Sequence, residues 1–293
     1  MTFKLAIISG KGGVGKTFIT ASIAHILSTE KKIKIVALDC DVDAPNLSIV
    51  LGGKVIHSER LKLSLKSQID ASKCIKCMRC IEYCPYDAIE LKEFPQVNQM
   101  LCEGCGVCKI VCPVKAVTLE LVENGILTIS KSKYGFTVVG GRTLTGATAS
   151  GKIVFEVKKK ADEVSAQENV AFQVIDGPPG VGCAFVSTVT DIDLAIVVIE
   201  PTPASLHDAK RAINVLEFMG IDYLIVLNKI PEGFDPRKVI DENTLGKVVA
   251  EIEFSNIVPN SISMLKPVTA LYPDSRISEK IRNVVDKILK IAH

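Results

Sequence analysis

Phe3-Lys4-Leu5-Ala6-Ile7-Ile8-Ser9-Gly10-Lys11-Gly12-Gly13-Val14-Gly15-Lys16-Thr17 is the stretch on which the fold turns. Phe3 to Ser9 is an apolar run of strand length, and it feeds directly into a G-x4-G-K-T loop. In such a loop successive backbone N–H groups face phosphate oxygens, and the following helix adds the positive end of its dipole. The backbone of Gly12, Gly13, Val14 and Gly15 is the expected cradle for ATP, with Lys16 reaching the β- and γ-phosphates and Thr17 ligating Mg2+. A plain glycine turn between strand and helix leaves the Lys16-Thr17 pair unexplained. Ile19 to Leu27 has helical apolar spacing, and Lys34 to Leu38 reads as a second buried strand ending in Asp39-Cys40-Asp41-Val42-Asp43.

Strand-and-helix alternation resumes toward the C-terminus. Val170 to Ile175, Leu194 to Ile199 and Tyr223 to Leu227 read as strands, the first before Asp176 and the last before Asn228. Helices are expected over Leu206 to Met219 and Ser278 to Ile291, with Ser150 capping another over Lys152 to Ala161. Gly125 to Val139 alternates as a hairpin or two short strands. The expected class is α/β: a mostly parallel sheet with helices on both faces. Between its parts, residues 61–121 change character to short segments broken by cysteine and proline. The expected organisation is an ATP-binding domain in two parts, 1–60 and 122–293, around an inserted small α+β domain.

Eight of the ten cysteines fall in that insert, as Cys74, Cys77, Cys80, Cys84 and Cys102, Cys105, Cys108, Cys112. Each run reads C-x2-C-x2-C-x3-C-P, closed by Pro85 and Pro113, and the two repeat at an offset of 28 residues. Zinc is an alternative for C-x2-C pairs. The third in-register cysteine, the trailing C-P and the duplication favour iron–sulfur ligation instead. The spacing resembles that of bacterial two-cluster ferredoxins. That resemblance implies two [4Fe-4S] clusters, one held by Cys74, Cys77, Cys80 and Cys112 and the other by Cys102, Cys105, Cys108 and Cys84.

Lys11-Gly12-Gly13-Val14-Gly15-Lys16-Thr17 resembles the deviant Walker A loop of the ParA/MinD/Mrp and nitrogenase-iron-protein group of ATPases. The resemblance implies that Lys11 reaches the partner's nucleotide in an ATP-bound homodimer. It further implies that Asp41 aligns the attacking water, that Asp176 holds Mg2+ through water, and that the Gly180 amide senses the γ-phosphate. Asn228 falls at the family's adenine-reading position. As a whole the chain is similar to MinD-like ATPases carrying an inserted ferredoxin domain, found in anaerobic bacteria and archaea. Other residues keep two readings: Asp43 as solvated or catalytic, and Glu200-Pro201-Thr202-Pro203 as pocket wall or rigid strand exit. Cys183 is a redox or transfer residue or a small residue near an interface, and Cys40 a small buried one.

A formal net charge of +2, no tryptophan and 5% aromatics give no support for a nucleic-acid partner. The beginning of the chain reads as a strand rather than a signal peptide, and the cysteines as metal ligands, so a reducing cytoplasm is the expected compartment. His25, His57, His207 and His293 lack ligand spacing, and Lys158-Lys159-Lys160 reads as an exposed helix coat. The apolar stripe of the last helix suits packing on the sheet better than lying on a membrane, so membrane contact is not expected. Function is expected to be ATP hydrolysis in which the nucleotide state of a homodimer gates electron transfer through the clusters to a redox partner. The alternative is an ATPase that assembles or carries iron–sulfur clusters or metallocofactors for an acceptor protein. A positioning ATPase on membrane or DNA is the third, and least supported, reading.

Overall fold

A computed structural model describes residues 2–147, 149–235 and 242–292; Thr148 and His293 lie outside them. The first elements are β1 (Phe3–Ser9), α1 (Lys16–His25) continued by a π turn over Ile26–Glu30, β2 (Ile35–Asp39), α2 (Leu47–Val50) and β3 (Lys54–Ile69). Then come α3 (Arg79–Glu82), β4 (Ile89–Leu91), β5 (Pro95–Val97), α4 (Val107–Ile110), β6 (Val117–Lys131) and β7 (Thr137–Thr143). They are followed by α5 (Ser150–Glu168), β8 (Phe172–Pro179), α6 (Cys183–Val189), β9 (Leu194–Ile199), α7 (Pro203–Phe218) and β10 (Tyr223–Ile230). The chain ends through α8 (Glu242–Gly246), β11 (Val248–Glu253), α9 (Ile257–Ser263), α10 (Val268–Leu271) and α11 (Arg276–Ala292).

Two compact units are present, one of residues 1–58, 127–142 and 150–293, the other of residues 59–126 and 143–149. Strands β3 and β6 each contribute residues to both. In the first unit the sheet runs β11-β10-β9-β1-β8-β2-β7, all parallel, and β6 leads into β7 through a turn over residues 132–136. β1 is central, paired with β8 on one side and β9 on the other, and Leu5 to Ser9 are buried. A strand covered on both faces needs a continuous apolar run, which is what Leu5 to Ile8 supply. Helix α1 is buried almost all round, packing Phe18, Ile19 and Ile23, with Ile26 of the π turn, into the main core with Leu5, Val174 and Ile196. Helix α11 adds Ile277, Ile281, Val284, Val285 and Ile288 to the same core, so its apolar stripe is engaged there. Among the described residues no helix is long and apolar enough to cross a membrane.

The second unit has a small core: Cys80, Ile89, Cys108 and Val117, flanked by Ile69, Ile81, Cys84, Val97 and Cys112. Its 28-residue repeat is visible in the backbone. Positive φ recurs at Lys76 and Gly104, at Met78 and Gly106, and at Asp87 and Lys115. Left-handed residues at matched places let each loop curl back so that its cysteines face one interior.

Two expectations need correction. Lys158 is not part of an exposed coat: it is buried, and its ammonium donates to the carbonyls of Ser187 (3.2 Å), Thr188 (3.1 Å) and Thr190 at the end of α6. The helix begun at Ser150 runs to Glu168 instead of stopping at Ala161, because Val164 and Ser165 continue its buried face.

Candidate functional site

The loops after β1, β2, β8, β9 and β10 leave the same, C-terminal edge of the parallel strands, where ligands collect in open α/β sheets. A cavity of about 620 Å³ lies there, lined by Gly12, Gly13, Gly15, Lys16, Thr17, Asp41, Asp43, Pro178, Pro179 and Cys183, among others. That size accommodates a nucleotide. The loop that floors it is shaped by two glycines. Gly15 has φ 100°, and a Cβ there would lie 2.3 Å from the amide nitrogen of Asn228; a Cβ on Gly10 would lie 2.1 Å from the Asp208 carbonyl. Asn228 Nδ2 donates to the Val14 carbonyl at 2.7 Å, and Lys229 Nζ to the Gly13 carbonyl at 2.7 Å. The tip of β10 thus holds the loop by its carbonyls, leaving its N–H groups for a ligand.

Lys16 is buried at the floor of the cavity, and burial lowers its pKa although Asp176 and Asp41 pull it up. Asp176 is buried; its Oδ2 accepts from Thr17 Oγ1 at 2.6 Å and its Oδ1 from Thr20 Oγ1 at 3.0 Å. Burial pushes Asp176 up to about 6, with the two threonine hydroxyls and Lys16 opposing. Asp39 sits beside it, in register on β2 against β8. One Asp39 oxygen accepts the Leu47 N–H at 2.9 Å, and the other is buried with no partner. Burial and the Asp176 charge raise its pKa well above the usual carboxylate range. Two adjacent buried carboxylates, one with an orphaned oxygen, next to a threonine hydroxyl, form a donor set suited to a hard divalent cation and its waters. The residues present fit Mg2+. Asp41 is half-buried on the cavity wall and raised by burial, against the pull of Lys16.

The sequence-derived residues therefore divide. Lys16, Thr17, Asp41 and Asp176 come together with the glycine loop, and Asp43 and Cys183 are exposed on the same cavity. Lys11 is exposed and is not among the described residues that line it. Neither are Val14, whose side chain is in the core, Asn228, which braces the loop, or Gly180, whose N–H donates to the Ser9 carbonyl at 3.1 Å. Glu200 also lies off the lining. Its loop ends in Thr202, whose Oγ1 caps α7 by accepting the Ser205 N–H at 3.3 Å, with Pro203 at the first helical turn, which is the rigid strand-exit reading. Asp39 and Thr20 had no role assigned from sequence; the D-x-D pattern pointed to the first, whereas only the packing of α1 on β8 reveals the second.

In the second unit the eight cysteines sort into two quartets. Cys74, Cys77, Cys80 and Cys112 line one cavity, and Cys84, Cys102, Cys105 and Cys108 line another. Each repeat thus lends its last cysteine to the other, the arrangement of two-cluster ferredoxins. Backbone N–H groups reach sulfur in both: Ala88 to Cys84 Sγ at 3.4 Å and Ala116 to Cys112 Sγ at 3.2 Å. Among the described residues no three His, Cys, Asp or Glu side chains converge on a single ion position. Four cysteines about each of two cavities, with the last of each run exchanged, match the ligand pattern of paired cubane clusters. The donor set fits [4Fe-4S].

Fold and cavity define a P-loop ATPase. The family described as CobQ/CobB/MinD/ParA nucleotide binding domain matches residues 5–268, and the chain belongs to it. An uncharacterized protein of Methanocaldococcus jannaschii is 38% identical over 291 residues, covering 97% of this chain and 96% of that one. A protein of the same organism named iron-sulfur cluster carrier protein is 24% identical over 304 residues, covering 98% of this chain and 84% of that one. Among solved structures, the septum site-determining protein MinD of Pyrococcus horikoshii with Mg-ADP superposes with a TM-score of 0.60 at 21% identity, covering 100% of this chain and 98% of that one.

Proposed function

We propose that this ATPase holds two [4Fe-4S] clusters in its second unit and that the nucleotide state of a homodimer gates electron delivery from them to a redox partner. The supporting observation is the sorting of eight cysteines into two complete, exchanged quartets. Four thiolates per cavity satisfy a cluster fully, which favours a resident redox centre over a transient cargo. When bound, such clusters supply one-electron transfer. The chain's own residues do the rest. The loop N–H groups and Lys16 bind the phosphates, Thr17 and Asp176 hold Mg2+, and Asp39 accepts from its water shell. Asp41 orients the attacking water, and Lys11 reaches the nucleotide of the partner subunit.

A second reading has its own support. The relative named as an iron–sulfur cluster carrier aligns over nearly the whole chain, and Cys183 is exposed at the nucleotide cavity. In that reading the ATPase assembles clusters or metallocofactors and hands them to an acceptor protein. Anaerobic purification, iron and sulfide analysis, and EPR with and without MgATP test the first reading, together with the rate of electron transfer to an acceptor protein. Equal rates in both nucleotide states rule out gating. Rapid transfer of iron and sulfide to an apo-protein would install the second reading in its place.

A further inference from the structure

The 28-residue repeat makes the two cysteine cavities nearly equivalent: Cys84 answers Cys112 and Ala88 answers Ala116, each pair with one N–H to sulfur. The equivalence fails at Ser67 and its counterpart Pro95, which line the second and first cavity respectively. Ser67 is buried, with Oγ 3.1 Å from Cys108 Sγ. A metal-bound thiolate can only accept, so the hydroxyl donates; proline has neither hydroxyl nor N–H to offer. The neighbouring Lys66 is also buried, and its ammonium donates to the Cys102 carbonyl. The repeat puts Phe94 where that ammonium would be needed for the first quartet.

Resting on the reading that both quartets hold [4Fe-4S], we infer that Ser67 and Lys66 make the clusters inequivalent. They raise the reduction potential of the one held by Cys84, Cys102, Cys105 and Cys108 above that of the other. Reduction adds one negative charge to a cluster. A hydrogen bond to a ligand sulfur and a buried ammonium on the carbonyl of another ligand, Cys102, stabilise that charge, and hydrogen bonding and charge set such potentials. Glu103, which lines the same cavity, acts in the opposite sense, as do Lys76 and Arg79 on the first quartet's loop, where the repeat puts Gly104 and Val107 in the second; all three side chains are exposed. These exposed charges are screened by water and salt, whereas Lys66 is 4% exposed and screened far less, so the buried ammonium prevails.

Potentiometric titration of the anaerobic full-length protein with dithionite, followed by EPR, tests this. The parent is expected to show two separable one-electron waves. Ser67→Ala and Lys66→Met lower the higher wave alone, while Ser67→Thr keeps the hydroxyl and retains the parent value. Cys77→Ser, which disturbs only the first quartet, perturbs the signal of the lower wave. A single shared potential in the parent overturns the inference. So does a Ser67→Ala variant with two clusters in which the lower wave moves, or in which neither does. Should the parent instead bind far fewer than about eight irons per chain, the cluster reading itself fails, a result separable from the others.

Discussion

Asp176 is a buried carboxylate whose two oxygens are held by Thr17 and Thr20, and its proposed role is to hold Mg2+. Its folded value of about 6 lies above that of an unfolded carboxylate, so the native state takes up the proton first as pH falls. The sign follows: Asp176 makes the nucleotide-free protein more stable near pH 5 than near pH 7, and the raised Asp39 acts in the same direction. In its proposed role Asp176 holds Mg2+ in competition with that proton, so stabilisation by MgATP is expected to be greatest well above pH 6 and to fade as pH falls through it. Thermal unfolding at pH 7.5 and 5, with and without MgATP, reads this directly; a larger Tm gain at the lower pH contradicts it. Asp176→Asn removes the buried charge and keeps the shape. The nucleotide-free variant should gain about 1–3 kcal/mol at pH 7.5, while Mg-dependent turnover falls at least about a hundredfold. Gly15 offers an independent check on the loop. With φ 100° and the Asn228 amide 2.3 Å from any added Cβ, Gly15→Ala should abolish binding of a fluorescent ATP analogue and cost more than about 1 kcal/mol in stability. Near-parental affinity would mean the loop is more pliant than its contacts indicate.

Lys158 shows how an element can be held from an unexpected side. Helix α5 presents Val154, Val157, Lys158 and Ala161 on one buried face, and the lysine reaches the last carbonyls of α6, the groups a helix end leaves unpaired. Burial lowers its pKa, yet it lies near Cys40 and the acids Asp162 and Asp191, which favour the charged form. Lys158→Met keeps the packing volume but strands those carbonyls, so a loss of about 2–3 kcal/mol in denaturant unfolding is expected. A change within 0.5 kcal/mol either way would show that water replaces the ammonium. The sequence pattern held this information, since positions 154, 157, 158 and 161 follow helical spacing; the three consecutive lysines concealed it. Strands β1 and β9 were legible to the residue because continuous apolar runs of that length have few other uses. Strand β3 was not, because Lys54–Ile69 is largely exposed and reads as a polar segment until β6 is seen beside it. The P-loop was legible from spacing, whereas the exchanged cysteine quartets came from the resemblance to two-cluster ferredoxins that the spacing carries. The bracing of the loop by Asn228 and the Asp39–Asp176 pairing depend on strand order, which no local pattern carries.

The two units differ most in what holds them together, and that difference sets how the molecule should come apart. The first has a core of some thirty buried apolar side chains drawn from a parallel sheet and its helices, enough for independent stability. In the second, the cluster of buried side chains is Cys80, Ile89, Cys108 and Val117, and two of those four are proposed ligands. Apolar burial on that scale does not offset the chain entropy of a segment spanning residues 59–126, so the proposed cluster binding is expected to be coupled to folding there. Removal of iron by an anaerobic chelator is therefore expected to unfold the second unit while ATP binding by the first survives. Calorimetry of the iron-loaded protein should show the second unit melting at a temperature that depends on cluster content, and hydrogen exchange should localise the loss of protection to 59–126. The Cys80→Ser, Cys108→Ser double variant, which breaks one ligand in each quartet, should reproduce the chelated state without the chelator. Full protection of that segment in iron-free protein would mean that its fold stands without metal, and that the cysteines serve something other than the cores of these two cavities.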